Sequence, residues 1–264
     1  MMRQLGVAAL LLLSTVYADD TPKVQRADDI KLRAGVHISS VMERRGARLY
    51  DGLYLAPSIY LTLFEDHLVL QFPSLTVQHQ PTEYLRGRAV LEYVTDKPLI
   101  RTSGPLGITN TRKDAVELTL AVDLYAYDIR SHWFSFGMQY SKGLGAHAGD
   151  YYQVSPRLSL GRYAQEEGPD GKKLAWVQPH LFGTLGYGDD RYNTYQYGTV
   201  GKVKGICYLA GGVLFTSPMK SDPSVPLVEI YYYRVMGDSQ FGKLVSNSMN
   251  SGVQLNVNVT FQIF

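Results

Sequence analysis

The sequence has little of what marks several common protein classes, beginning with cysteine. Cys207 is the one cysteine among 264 residues. A single thiol excludes an internal disulfide framework, and with it the small disulfide-stapled secreted domains. None of the six histidines has a partner at metal-ligand spacing. The EF-hand pattern is also missing, and we interpret the adjacent Asp189 and Asp190 as solvated carboxylates. The sequence therefore predicts no metal and no cofactor.

An excess of charge and a long apolar run are missing as well. The formal net charge is +2, from 26 basic and 24 acidic side chains. This near balance gives no support for nucleic acid as a partner. The longest apolar run, Leu5 to Val16, falls short of the roughly 20 residues that a spanning helix needs. We therefore expect no transmembrane helix.

The first residues fit a targeting segment. Arg3 precedes the apolar run, and Val16-Tyr17-Ala18 then leads into the acidic Asp19. A charged start, a short apolar stretch and a small residue at the end are typical of a secretory signal peptide. We predict cleavage between Ala18 and Asp19, which divides the chain into a signal peptide at 1–18 and an exported domain at 19–264.

What the sequence does have is alternation of apolar and polar residues. In Ile30 to Ser39 every even position is apolar and every odd position is polar or glycine. Such a period of two predicts β-strands with one apolar and one polar face. Many of these runs reach ten residues, which is long enough to cross a bilayer, whereas soluble strands average five or six. Tyrosine is abundant, with 20 copies, and suits a membrane interface. The pattern favours an all-β fold, a transmembrane antiparallel β-barrel with polar side chains in its lumen.

The number of strands follows from the runs. Eleven are evident: Ile30 to Ser39, Leu53 to Leu63, Leu68 to Val77, Tyr84 to Tyr93, Ala115 to Tyr127, Trp133 to Ser141, Tyr151 to Arg162, Leu174 to Tyr187, Lys202 to Thr216, Leu227 to Met236 and Val253 to Phe264. Bacterial barrels usually have an even number of strands. We predict that "PLIRTS", Pro98 to Ser103, is the twelfth, within a range of ten to twelve.

A twelve-strand count assigns the short links to one end of the barrel. They are "EDH" at Glu65 to His67, "TDK" at Thr95 to Lys97 and "DIRS" at Asp128 to Ser131. Short turns are typical of the periplasmic side. Two longer links, Ala164 to Lys173 and Ser217 to Pro226, fall on the same side and fit less well.

The segment "YYYRVMGDSQFGKLV" leads through a polar interval into the last strand, and it resembles the C-terminal part of the MipA/OmpV outer-membrane proteins. The matching positions are Arg234, Val235, Met236, Gly237, Asp238, Leu244 and Val245. Gly242 and Lys243 stand where the family has Ser-Pro. "PLGITNTRKDAVELTL", with Gly107 and Glu117, is similar to a second family segment. "DRYNTYQYGT" is similar to a Tyr-rich loop.

The resemblance implies an outer-membrane barrel of a Gram-negative cell that is not an enzyme. Members of the family are described as a scaffold linking murein (peptidoglycan) synthases to a lytic transglycosylase, or as surface antigens. The partners it implies are therefore outer-membrane lipid, the barrel-insertion machinery, murein synthases and lytic transglycosylases. Barrels of this kind resemble one another in ending on an aromatic residue that the insertion machinery reads, and Phe264 stands at that place. The apolar stripe of the last strand, however, runs through Phe261 and Ile263.

Two other functions stay open. A barrel with charged side chains inside is also suited to be a small solute pore. A lipid hydrolase is the other alternative, because His37 and Ser39 lie two apart on a strand and resemble the nucleophile pair of outer-membrane phospholipases. Both share a face with Lys31 and Arg33, which predicts the lumen rather than the lipid side. No third orienting group is evident, so we expect no catalytic residue.

Overall fold

The computed structural model describes residues 30–45, 47–64, 67–95, 100–101, 114–126, 134–145, 147–160, 178–197, 204–216, 228–236 and 251–263. These residues form thirteen strands and one helix. The elements are β1 (Lys31–Arg44), β2 (Ala47–Leu63), β3 (Leu68–Gln71), β4 (Ser74–Thr82), β5 (Leu85–Val94), β6 (Ile100–Arg101), β7 (Ala115–Ala126), β8 (Phe134–Leu144), β9 (Asp150–Ser159), β10 (Gln178–Gly188), α1 (Asp190–Tyr197), β11 (Gly205–Thr216), β12 (Val228–Val235) and β13 (Ser251–Gln262).

Twelve of the strands form a closed antiparallel ring, which confirms the predicted fold class. Each strand pairs with its neighbour in the chain, except that β5 pairs directly with β7. Strand β1 closes the ring because it pairs with β2 on one side and with β13 on the other. The Ile263 amide extends this seam by donating to the Leu32 carbonyl at 2.8 Å. Closure leaves no sheet edge between the first and last strands.

The count of twelve is correct, but two of the predicted strands are not. The run Leu68 to Val77 is a hairpin, β3 and β4, that turns at Phe72 and Pro73. Proline has no amide hydrogen and cannot continue a ladder in a central strand, which is why the run breaks there. Of "PLIRTS" the structure describes Ile100 and Arg101. They form β6, which pairs with Tyr54 and Leu55 of β2 outside the ring.

This difference moves one of the short links. We call the end of the barrel that holds Lys31 and Gln262 the terminal end, and the opposite end the mouth. Because β5 pairs directly with β7 and runs toward the mouth, the link that begins at Thr95 lies at the mouth. The prediction that "TDK" shares an end with "EDH" and "DIRS" was therefore wrong. The links between β2 and β3 and between β7 and β8 both lie at the terminal end, as predicted.

The wall of the barrel is apolar outside and polar inside. On β7, for instance, Glu117 and Thr119 are buried in the lumen, whereas Val122 and Leu124 are 38% and 42% exposed. Other exposed apolar side chains occur around the ring, among them Val36, Ile59, Leu91, Met138, Leu158, Leu181, Ile206, Ile230 and Leu255. Phe261 and Ile263 are 68% and 58% exposed, so the apolar stripe of β13 faces outward. This arrangement is compatible with an outer-membrane barrel.

Candidate functional site

The mouth of the barrel is occupied by Arg45, which follows β1. Its φ of 50° is a left-handed conformation that a residue with a side chain adopts at a cost. The Arg45 side chain reaches β7, almost opposite β1 in the ring, where Nη1 donates to Glu117 Oε2 at 3.0 Å. The same nitrogen donates to the Tyr192 hydroxyl at 2.9 Å, and Nη2 donates to Ser141 Oγ at 3.0 Å. One side chain thus joins β1, β7, β8 and α1.

The Arg45–Glu117 pair is buried. The side chain of Glu117 is 0% exposed and that of Arg45 is 12% exposed. The guanidinium carbon also lies 4.2 Å from the centre of the Tyr151 ring, a cation–π contact. Burial disfavours the charged guanidinium, but Tyr192 and Glu117 favour it more strongly, so the pKa of Arg45 lies above its usual value. The charge is therefore held inside the barrel by the Glu117 carboxylate and by the rings of Tyr151 and Tyr192.

Helix α1 packs into the lumen beside Arg45. Asp189 caps the helix, because its Oδ1 accepts from the Tyr192 amide at 2.7 Å. Four residues of the helix are buried: Tyr192, Asn193, Gln196 and Tyr197. The Tyr197 hydroxyl donates to the Arg45 carbonyl at 2.6 Å, and burial raises the pKa of this tyrosine well above its usual value. We call Arg45, Glu117, Tyr151 and α1 the mouth plug.

Two glycines allow the mouth plug to pack against the wall. A Cβ at Gly149 would collide with the backbone of Tyr192, and a Cβ at Gly186 would collide with the Tyr151 ring. The tyrosines pack closely with each other as well, since the ring centres of Tyr151 and Tyr192 are 4.8 Å apart. Glycines on β10 and in the link before β9 therefore leave the space that the plug occupies.

Below the plug the lumen contains a polar cavity of about 250 Å³. Its charged lining consists of Arg86, Arg88, Asp123, Arg157 and Glu229. Asp123 pairs with both Arg86, at 3.2 Å, and Arg88, at 2.9 Å. On the other wall Glu229 accepts from Asn256 Nδ2 at 3.0 Å.

A line of hydrogen bonds along β9 connects the plug with the cavity. The Tyr151 hydroxyl donates to Gln153 Oε1 at 3.0 Å. Gln153 Nε2 donates in turn to Ser155 Oγ at 3.0 Å, and Ser155 Oγ lies 3.3 Å from Thr184 Oγ1. Tyr151, Gln153, Ser155 and Arg157 alternate along one face of the strand, so β9 supplies side chains to both regions.

The pair of the hydrolase alternative, His37 and Ser39, lies on the seam between β1 and β13. Ser39 is 1% exposed and accepts from Gln254 Nε2 at 3.1 Å. Nδ1 of His37 lies 2.6 Å from Asn258 Oδ1. Each side chain thus contacts a polar residue of β13, which places both on the lumenal face at the closing seam.

The residues of the family resemblance divide between the two faces of the wall. Arg234 on β12 is exposed on the outer face, whereas Glu117 is buried in the lumen as part of the mouth plug. Val235, which ends β12, is buried, and Met236 follows it at a half-buried position. Eight predicted positions lie outside the described residues: Ala18, Asp19, Gly107, Gly237, Asp238, Leu244, Val245 and Phe264.

Sequence reasoning missed most of the mouth plug. Arg45 stands in a charged stretch of a predicted link, and nothing local distinguishes it from its neighbours. The Tyr-rich segment was interpreted as a loop, yet it contains α1. Asp189, which we expected to be solvated, is the helix cap, while Asp190 is exposed as expected. An aspartate before a run of helix-compatible residues was the available signal.

Within the described ranges, no group of three or more His, Cys, Asp or Glu side chains is placed to hold a metal ion. Among the same residues, no helix has the length and apolar character needed to cross a membrane. A scan against models of protein families gives no match for this chain, and a search of curated proteins gives none either.

Proposed function

We propose that this chain is an outer-membrane β-barrel of the MipA/OmpV type that acts without enzymatic activity, as a scaffold or interaction protein of the cell envelope. The observation that carries the proposal is the mouth plug. A general diffusion pore needs a continuous water-filled lumen. Here the lumen is filled at the mouth by a buried ion pair and a short helix.

The outer surface supports the membrane location. Besides its apolar belt, it carries aromatic side chains near both ends. Tyr93, Tyr152 and Tyr187 lie toward the mouth, and Phe64, Tyr84 and Phe261 lie toward the terminal end. Aromatic residues at both interfaces are typical of transmembrane barrels.

The membrane location is tested by two substitutions on one strand. Met138, near the middle of β8, and Leu144, at its mouth end, are 42% and 43% exposed. In a bilayer, Met138→Arg is expected to lower the free energy of unfolding by about 2–4 kcal/mol, and Leu144→Arg by about 0–1 kcal/mol. Urea unfolding of the barrel refolded into lipid vesicles measures both. Equal small losses would contradict a membrane location, because exposure alone does not distinguish the two sites.

The plugged lumen is tested by conductance. We expect the purified barrel in a planar bilayer to give a flat current trace across the range of applied voltage. A stable open channel at low voltage would overturn the scaffold assignment. It would favour instead a small solute pore, the second candidate, which the polar cavity supports.

The scaffold role is tested by direct binding. The barrel in lipid nanodiscs is immobilised and exposed separately to a purified murein synthase and a purified lytic transglycosylase, with empty nanodiscs as the control. We expect saturable binding of both enzymes to the barrel. Equal signals on barrel and empty discs would contradict the murein role and leave the membrane location unaffected.

A further inference from the structure

The cavity below the mouth plug has an excess of positive charge. Three arginines, Arg86, Arg88 and Arg157, line it against two carboxylates, Asp123 and Glu229. With all five ionised, one positive charge is left over. In a narrow lumen such an excess is felt strongly by a bound solute, because less water is present to screen it.

The pairing of these groups shows where the excess is located. Arg86 and Arg88 share one carboxylate, since both guanidiniums lie within 3.2 Å of Asp123 Oδ2. Nε of Arg88 is buried and has no hydrogen-bond partner among the described residues. One aspartate thus serves two guanidiniums, and the Nε–H donor of Arg88 stays unused among the described residues.

Arg157 is the least satisfied of the three. Within the described part of the chain its guanidinium forms no hydrogen bond and no ion pair, although it lies in the field of Asp123 and Glu229. Glu229 is instead hydrogen-bonded by Asn256. A guanidinium carries five N–H donors in a planar fork, a geometry that matches a carboxylate. Arg157 therefore presents an open carboxylate-binding group to the cavity.

The remaining lining suits a hydroxylated solute. Ser135, Ser155, Thr184 and Gln139 add hydroxyl and amide groups to the wall, and all four can both donate and accept hydrogen bonds. A cavity of about 250 Å³ has the volume of about eight waters at about 30 Å³ each. That space fits a small organic molecule with several polar groups.

We propose that the lumenal cavity is a binding site for a small hydroxylated monocarboxylate, whose carboxylate is held by Arg157. A single negative charge neutralises the leftover positive charge, whereas a dianion would replace it with an excess of the opposite sign. This site is separate from the scaffold role, since it lies inside the wall and the interaction role uses the outside or the ends of the barrel.

Two probes that differ in one group test the site. Gluconate carries a carboxylate where sorbitol carries a CH₂OH group, and the two are otherwise the same chain. Isothermal titration calorimetry of the whole refolded barrel, at low chloride concentration, measures both. We expect saturable binding of gluconate and no measurable binding of sorbitol. Equal binding of the two, or binding of neither, would overturn the proposal.

Variants then locate the site. Arg157→Gln is expected to weaken gluconate binding about tenfold to a hundredfold, the range for loss of charge-assisted hydrogen bonds. Asp123→Asn removes a competing carboxylate and is expected to strengthen binding by about threefold or more. Arg234→Gln is the matched control, because it removes the same charge from the outer face of β12 and is expected to leave affinity unchanged. Equal effects of Arg157→Gln and Arg234→Gln would show that gluconate affinity depends on net charge alone, which would contradict a lumenal site.

Discussion

The mouth plug and the lumenal cavity are built on the same wall but differ in charge balance and in packing. At the mouth, Arg45 and Glu117 neutralise each other and are packed among tyrosines. In the cavity, the arginines outnumber their carboxylates and the space between them is open. Strand β9 contributes to both, with Tyr151 in the plug and Arg157 in the cavity. The two regions differ in that α1 packs into the ring at the mouth and does not line the cavity.

The contrast indicates that the ring itself does not determine whether a barrel is open. Polar side chains line much of the lumen, yet the helix supplied by a link between two strands packs into it at the mouth. Disturbing the plug, with positions outside it as the reference, tests this contrast.

Removal of Glu117 is expected to have the largest effect. Glu117→Ala leaves Arg45 charged and buried without its carboxylate, which typically costs about 3–5 kcal/mol. Urea unfolding of the refolded barrel measures the loss. Lys142→Gln is the control, because Lys142 pairs with Asp150 at 2.7 Å but is 29% exposed, and such pairs contribute about 1 kcal/mol or less. Similar losses in the two variants would mean that the mouth pair is not buried.

A single methyl group at Gly149 is expected to displace the plug. Because its Cβ would collide with the backbone of Tyr192, Gly149→Ala should push α1 out of the lumen and cost about 1–3 kcal/mol. The expected readout in planar bilayers is a conductance that the native barrel lacks. Gly183→Ala is the control, since its nearest neighbour is Pro156 Cγ at 3.8 Å. If the Gly149→Ala barrel unfolds at a lower urea concentration but gives no conductance, α1 does not block conduction.

Loss of the helix cap is expected to have the smallest effect. Asp189→Ala removes the acceptor for the Tyr192 amide and should loosen α1 by about 0.5–2 kcal/mol. Hydrogen exchange of the α1 amides measures this loosening, with the amides of β9 as an internal reference. Asp190→Ala, at an exposed position of the first turn, should accelerate exchange less. Equal acceleration by both variants would contradict a capping role.

The wall of the barrel was largely predictable, because alternation is a local property. Residues two apart on a strand lie on one side, so the pattern of β7 or β13 is enough to separate lumen from exterior. The hairpin at Phe72 and Pro73 was missed although proline marked it. Apolar and polar residues alternate on both sides of the turn, so the run from Leu68 to Val77 was interpreted as one strand.

The mouth plug was not predictable in the same way. Helix α1 has no continuous apolar face to reveal it, since its buried residues include Asn193 and Gln196 beside Tyr192 and Tyr197. Arg45 lies 72 residues from Glu117 in the chain and 147 from Tyr192. No spacing or motif connects residues so far apart.

The sequence by itself determined that this protein is a ring of long strands with an apolar outside and a polar inside. A strand needs no distant residue to present alternate side chains to opposite faces. Only the tertiary structure decided that β5 pairs with β7, that β1 meets β13, and that a helix and an arginine pack inside one end. Those choices depend on which side chains meet across the lumen, and that is set when the ring closes.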